Sequence, residues 1–150
     1  MIDRTTEDQD YDLWLLLRRT SHVVLKNRER ELGQYGLSAV QMGVLVLVED
    51  LGNKAIPAEI ARHLLREPHS VSGLLTRMEA QGLVKKVRDL DKANLVRIAL
   101  TDQGRQALRQ SKKRESIHRV MSVLSEKERR ALMSSLKKMR DEAIKEPRRW

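Results

Sequence analysis

Residues 68–82 carry two sets of side chains at helical spacing, and one of them could bind a partner rich in hydrogen-bonding groups. The apolar set forms a single stripe and consists of Val71, Leu74, Leu75 and Met78. The opposite set is small or polar, with one guanidinium, and consists of His69, Ser70, Ser72, Gly73, Thr76 and Arg77. Hydroxyl groups and a guanidinium on a slim helix surface can reach phosphates or base edges. An ordinary solvated helix face has the same composition, so the pattern alone leaves both interpretations open.

A set of cations follows directly, in a segment whose apolar residues repeat about every two positions instead of about every 3.6. Residues 83–88 and 95–100 are predicted strands, and residues 89–94 between them are typical of a turn. The cations of this predicted hairpin are Lys85, Lys86, Arg88, Lys92 and Arg97. They could touch a phosphate backbone, although runs of charge are most often simply solvated. A two-stranded hairpin is only marginally stable alone, so it must rest on helices.

Two long helices are predicted on the N-terminal side of these residues. The first covers residues 8–32 and the second covers residues 39–50. The second begins at a capping box formed by Ser38 and Gln41. It is apolar nearly all round, so we expect it to be buried on every side at the centre of the fold.

Three further helices complete the predicted architecture. A short helix has Pro57 near its first turn, where a missing N–H costs little. A long helix is predicted over residues 101–124, and a last one over residues 126–145 follows a second capping box, Ser125 and Glu128. The last helix has one narrow apolar stripe, which consists of Leu132, Leu136, Met139 and Ala143.

The composition excludes several classes of site. The chain has 150 residues and no cysteine, so it has no disulfide, no thiolate metal site and no cysteine nucleophile. Its four histidines form no His-x-x-x-His pair, and we find neither a Ser/His/Asp arrangement nor a glycine-rich phosphate loop. We therefore expect a protein that is not an enzyme and that carries no cofactor or metal. No apolar run approaches the length of about 20 residues that a membrane span needs, and we expect a cytoplasmic protein.

The positive charge is unevenly distributed along the chain. The net charge is +9, with −3 in residues 1–53, +4 in residues 54–97 and +8 in residues 98–150. A polyanionic partner lying against the middle segment would explain this excess, with the C-terminal charge adding long-range attraction. Alternatively, the basic C-terminal region packs near the acidic first helix, in the same chain or in a partner.

Two short helices joined by a tight turn and followed by a hairpin form the layout of a winged helix-turn-helix. Four segments, in order, resemble the multiple-antibiotic-resistance regulator (MarR) family of transcription factors. They are residues 37–45, 60–64, 71–84 and 100–104, which read LSAVQMGVL, IARHL, VSGLLTRMEAQGLV and LTDQG. The predicted fold class is therefore mainly α with a small two-stranded β-wing, as a winged helix-turn-helix with N- and C-terminal dimerisation helices.

The resemblance implies an organisation and a function. Residues 1–36 and 102–150 would form a helical dimerisation region, and residues 37–101 the DNA-binding domain. The expected partners are double-stranded DNA, a second copy of the chain and a small aromatic or phenolic effector, with no membrane. The expected function is a ligand-responsive homodimeric repressor on a pseudo-palindromic operator. The six polar residues of 69–77 and the five hairpin cations would contact the DNA.

Effector binding would need aromatic rings and a cation, and the candidate residues are Tyr11, Trp14, Arg18 and Tyr35. The favoured alternative is that Tyr11 and Trp14 are plain dimer-core residues. The sequence departs from the family at the wing, where an Asp-x-Arg element commonly places an arginine near the tip. Here residues 91–94 read DKAN, so the tip cation is Lys92, and we expect the wing to bind mainly phosphate. Arg97 would instead pair with Asp89 or Asp91.

Three other functions fit parts of the sequence. The first is a non-specific architectural DNA-binding protein, and the second is a winged-helix module that binds proteins. A protein-binding module should expose an apolar patch on the predicted recognition face, which this sequence does not have. The third is a helical RNA-binding protein, which is disfavoured because readers of single strands usually present exposed aromatics for stacking.

Overall fold

A computed structural model describes residues 7–89, 92 and 95–146 of the chain. The tip of the predicted turn, including Asp91, Ala93 and Asn94, therefore lies outside the described residues apart from Lys92. The chain divides into two units after Arg114. Within the described ranges, none of the helices combines the length and the apolar character needed to cross a membrane.

The first unit contains five α-helices and a hairpin. Its elements are α1 (Gln9–Gly33), α2 (Ala39–Leu51), a 3-10 turn (Gly52–Lys54), α3 (Pro57–Leu64), α4 (Pro68–Ala80), β1 (Val84–Asp89), β2 (Leu95–Leu100), α5 (Asp102–Gln110) and a second 3-10 turn (Ser111–Lys113). The second unit contains α6 (Glu115–Met121) and α7 (Glu126–Ile144). The predicted fold class, helical with a two-stranded antiparallel sheet, is confirmed.

Both predicted capping boxes are present. The Ser38 hydroxyl accepts the Gln41 N–H at 3.2 Å, and the Gln41 side-chain oxygen accepts the Ser38 N–H at 3.0 Å. Ser125 and Glu128 exchange the same two hydrogen bonds at the start of α7, at 3.1 and 2.7 Å. Each box satisfies N–H groups that a helix start otherwise leaves without a partner, which is why α2 and α7 begin at these residues.

The core lies between α2, α4 and the hairpin. The predicted apolar stripe of α4 is buried, together with Val84, Ile98 and Leu100 of the strands. One side of α2 is also buried and consists of Met42, Val44, Leu45 and Val48. Val40, Val46 and Leu47 are only half-buried, so the prediction that α2 is buried on every side is wrong. The half-buried residues of α2 still pack against the core, so the helix is fully buried on one side and partly buried on the other.

The prediction of one long helix over residues 101–124 is also wrong, because α5 ends at Gln110 and a separate helix, α6, begins at Glu115. Arg114 adopts a left-handed conformation with φ of 53° before α6 begins. In a continuous helix the Ser111 carbonyl oxygen would accept the Glu115 N–H. Here it accepts instead from Nη2 of Arg28 on α1 at 3.1 Å, and the buried Ser111 hydroxyl lies 2.9 Å from the Met42 sulfur. A contact with a residue 83 positions away thus replaces the local helical bond.

Hydrogen bonds link the end of α4 to the start of α5 at the sharp turn formed by Gly82. Gly82 has a φ of 77°, and the Leu83 N–H donates to the Met78 carbonyl oxygen at 3.0 Å, as in a Schellman helix end. The Thr101 hydroxyl donates to the Gly82 carbonyl oxygen and accepts the Gly104 N–H at 3.0 Å. The hairpin is therefore anchored at both of its open ends.

Candidate nucleic-acid interface

The face of α4 opposite the core is open to solvent. His69, Ser70, Ser72, Thr76 and Arg77 are exposed there, and Gly73 is half-buried. α3 and α4 are joined by three residues, and Leu65 makes the turn with φ of 53°. The structure therefore brings all six predicted residues of α4 onto one side of a helix that follows a tight turn, as a helix-turn-helix requires.

Arg77 is the cation available on this face. Its Nη1 lies 3.6 Å from the position that a Cβ atom would take on Gly73, so the guanidinium lies over the glycine. Among the described residues no carboxylate forms an ion pair with it. The Thr76 hydroxyl donates to the Ser72 carbonyl oxygen at 3.0 Å, which leaves its oxygen lone pairs and methyl group to the outside. The surface thus offers one free guanidinium beside small groups.

Arg62 on α3 is, by contrast, already paired. Its Nη2 lies 2.6 Å from Oε2 of Glu59, and the hydrogen bond lowers the pKa of Glu59 below its ordinary value and raises the pKa of Arg62. Both side chains are exposed, so the pair affects the local charge more than the stability. The carboxylate offsets the charge of Arg62, which distinguishes it from Arg77.

The five hairpin cations divide between the two faces of the sheet. The register runs from Val84 opposite Leu100 to Asp89 opposite Leu95, so facing pairs share one side. Lys86 and Arg88 lie on the side of the buried Val84, whereas Lys85 and the half-buried Arg97 lie on the other. Lys92 is exposed beyond the strands. The cations are close along the chain but cannot all face one surface.

Two of these cations have an acidic neighbour. Asp89 and Arg97 lie on the same face of the hairpin in diagonal positions, and their pairing stays a prediction. The alternative partner, Asp91, lies outside the described residues. Lys86 faces Glu79 of α4, which accepts its backbone N–H at 3.1 Å and has an oxygen 3.9 Å from its Nζ. Glu79 is not among the residues predicted for the site, although it is the only acidic residue between Glu67 and Asp89.

Comparisons with known proteins point to one family. A sequence model described as the MarR family matches residues 35–93. The ligand-free organohalide-sensing transcriptional regulator RdhR shares 27% identity, with a TM-score of 0.84 over 96% of this chain and 89% of its own. The MepR–DNA complex of S. aureus shares 24% identity, with a TM-score of 0.79 over 91% and 99% of the two chains. No curated protein matches the chain.

The fold of the chain and residues 35–93 of its sequence match the MarR family. Its members are winged-helix DNA-binding transcription regulators and not enzymes, which confirms the predicted class and the expectation that catalysis is absent. A second form of RdhR, bound to 2,4-dichlorophenol, shares 28% identity with a TM-score of 0.84 over 95% and 88% of the two chains. In the winged-helix layout of these regulators, α4 occupies the position of the recognition helix and the hairpin forms the wing.

Three of the four effector candidates lie together on α1. The rings of Tyr11 and Trp14 stack with centroids 5.7 Å apart, and the Arg18 guanidinium lies 5.7 Å from the centre of the Trp14 ring. All three side chains are exposed. Tyr35 follows the other end of α1, roughly 30 Å away at about 1.5 Å per residue, and is half-buried against the core. Within one chain the four residues do not share a site.

Two helices of the chain, α1 and α7, carry exposed apolar side chains. On α1 these include Tyr11, Leu13, Trp14, Leu16, Val23 and Leu25. On α7 they are Leu132, Met133, Leu136, Met139 and Ile144, so the predicted stripe of that helix lies largely on the surface. Several large apolar side chains exposed on the same helix are typical of a protein–protein interface.

Proposed function

We propose that the chain is a homodimeric repressor that binds a pseudo-palindromic operator and leaves it when a small aromatic or phenolic molecule binds. The observation that carries the proposal is the open face of α4, where Arg77 lies beside small groups after a tight turn. Nothing bulky on this side hinders the approach of the helix to a major groove. A repressor that acts on genomic DNA works in the cytoplasm of a prokaryotic cell.

The dimer is proposed from the apolar faces of α1 and α7. Residues 1–36 and 102–150 would form the dimerisation region, and residues 37–101 the DNA-binding domain of each subunit. Two recognition helices in a dimer would reach half-sites one turn of DNA apart, about 10 base pairs from centre to centre. The operator would then repeat the two-fold symmetry of the protein.

The effector is proposed to be a small aromatic or phenolic molecule, as in the 2,4-dichlorophenol-bound form of RdhR. Tyr11, Trp14 and Arg18 form the better candidate group, because an aromatic acid would find rings and a cation together. The alternative role for Tyr11 and Trp14 is in the dimer core. A ligand titration that quenches Trp14 fluorescence in a Trp150→Phe background, without dissociating the dimer, would separate the two roles.

The proposed function is tested with the DNA that lies next to the gene encoding the protein. Purified protein is mixed with this DNA at about 0.15 M salt and excess random DNA, in a mobility-shift assay followed by footprinting. A protected pseudo-palindrome with half-sites about one turn apart is expected. Equal affinity for random DNA would favour an architectural role, and no binding at any tested promoter would favour a module that binds proteins.

A further inference from the structure

The outer edge of β1 is held at one point by a side chain of α4. Lys86 pairs with Ile98 across the hairpin, and the Ile98 N–H points away from β1 to the Ala55 carbonyl oxygen at 2.7 Å. In an antiparallel ladder both N–H groups of such a pair point outward, so the Lys86 N–H faces the free edge of β1. There it donates to Oε2 of Glu79 at 3.1 Å.

The second carboxylate oxygen of Glu79 faces the lysine side chain. Lys86 Nζ lies 3.9 Å from Glu79 Oε1, which is an ion-pair distance but too long for a direct hydrogen bond. The two side chains are 41% and 42% exposed, so water weakens this attraction. The backbone hydrogen bond is therefore the firmer link, because it orders only one side chain and has a charged acceptor.

Glu79 projects from a helix end that is itself fixed. The side-chain oxygen of Gln81 accepts from Nε2 of Gln41 on α2 at 2.8 Å. The carbonyl oxygen of Gln81 accepts from Gln103 at 3.4 Å, and that of Gly82 accepts from the Thr101 hydroxyl. A carboxylate on this fixed end can hold β1 at a set distance from α4.

We propose that Glu79 is a positioning residue that sets the angle between recognition helix and wing, and that Lys86 is not a DNA contact. The proposal rests on the proposed function, since a DNA role for either element is presupposed. With the link in place, the recognition helix and the wing meet the DNA in a fixed register. Without it, the part of β1 beyond Val84 loses its hydrogen bond to α4, so the outer part of the hairpin is less ordered and ordering it on DNA costs free energy.

Three variants separate this role from a phosphate contact. Glu79→Gln keeps an oxygen that accepts the Lys86 N–H but removes the charge, Glu79→Ala removes both, and Lys86→Met removes the ammonium but keeps the N–H. Each variant is compared with the wild-type dimer by hydroxyl-radical footprinting, which resolves central contacts of the recognition helix from flanking contacts of the wing. Affinity is measured as a function of salt on the same operator.

We expect Glu79→Ala to lose flanking protection, keep central protection and bind about fivefold more weakly, and Glu79→Gln to restore the pattern. Lys86→Met should keep the wild-type slope of affinity against salt. If the slope of log affinity against log salt is smaller by about 1 in Lys86→Met, then Lys86 contacts a phosphate and the proposal is overturned. A loss in Glu79→Ala spread equally over central and flanking positions would show a general structural role and overturn it as well.

Amide hydrogen exchange in the DNA-free protein tests the link by itself. The Lys86 amide should exchange more slowly in the wild type and in Glu79→Gln than in Glu79→Ala, by roughly fivefold. Equal exchange in all three proteins would contradict the link. If the wild type gives slow Lys86 exchange but no footprint on any operator, the proposed function fails, and the role of Glu79 toward DNA is overturned with it.

Discussion

Gly104 at the start of α5 approaches the backbone of Leu83 so closely that a Cβ atom would lie 2.0 Å from the Leu83 carbonyl oxygen. The glycine is therefore required by the approach of two backbones and not by its own conformation. This contact seats α5 against the residue that leads into β1, and the Thr101 N–H donates to the same carbonyl oxygen at 3.2 Å. The position of the wing thus depends on a residue that has no side chain.

Gly104→Ala should destabilise the protein by about 3 kcal/mol or more, because the added methyl group meets backbone that cannot move without displacing β1. Gly43→Ala is the matched control. A Cβ atom on Gly43 would have its nearest neighbour, Leu64 Cδ2, at 3.5 Å, so the change should be neutral or stabilising by up to about 1 kcal/mol. Chemical denaturation of both variants measures the difference, and equal midpoints would contradict the assigned contact.

Leu65→Gly should stabilise the protein by about 0.5–1 kcal/mol. Leu65 has a φ of 53° at the end of α3, a conformation that favours glycine, and its side chain is 49% exposed. Leu65→Ala is the control, because it shortens the side chain but keeps the Cβ atom that causes the strain. Thermal unfolding should rank glycine above alanine at this position, and the reverse order would show that the turn is not strained.

Arg77→Ala should weaken operator binding by about 1–3 kcal/mol and relax the base preference at one operator position, because its free guanidinium can bind a base edge. Arg62→Ala is the control, since Arg62 is paired with Glu59. Binding to a set of operators, each with one base pair changed, gives the preference at each position. If the Arg77→Ala protein binds every operator with unchanged affinity, Arg77 does not contact the DNA.

Lys92→Glu should weaken binding to all DNA sequences alike and reduce the slope of log affinity against log salt by about 1. The physical reason is that an exposed lysine near the tip of the wing is a point charge suited to phosphate. Lys26→Glu on α1 changes the net charge by the same amount outside the proposed DNA-binding domain and serves as the control. A changed base preference in Lys92→Glu would instead make the wing a reader of sequence.

Local signals predicted most of the fold. The capping boxes at Ser38 and Ser125, the proline near the start of α3 and the change of period after Gly82 each act within a few residues. Such signals depend only on neighbouring positions, so they can be read from the sequence. The apolar stripe of α4 separated the buried from the exposed residues for the same reason.

Features that depend on distant residues were not predictable in this way. Where α5 ends, the Ser111 carbonyl oxygen accepts from Arg28, and at the edge of β1 the Lys86 N–H donates to Glu79. The candidate effector residues also illustrate the point, because they include both Trp14 and Tyr35, which α1 separates by nearly its full length. The identity of a side chain shows what it can bind, whereas its partner is set by the packing of the elements.

The exposed apolar side chains of α1 and α7 have a consequence for how DNA binding depends on the amount of protein in the cell. If only the dimer covers these side chains and binds the operator, the active species forms from two chains. Below the dissociation constant of the dimer, halving the number of chains in a cell reduces the number of dimers roughly fourfold. Occupancy of the operator would then depend on the cellular concentration of the chain as well as on the effector. This dependence would be steeper than for a regulator that binds DNA as a monomer.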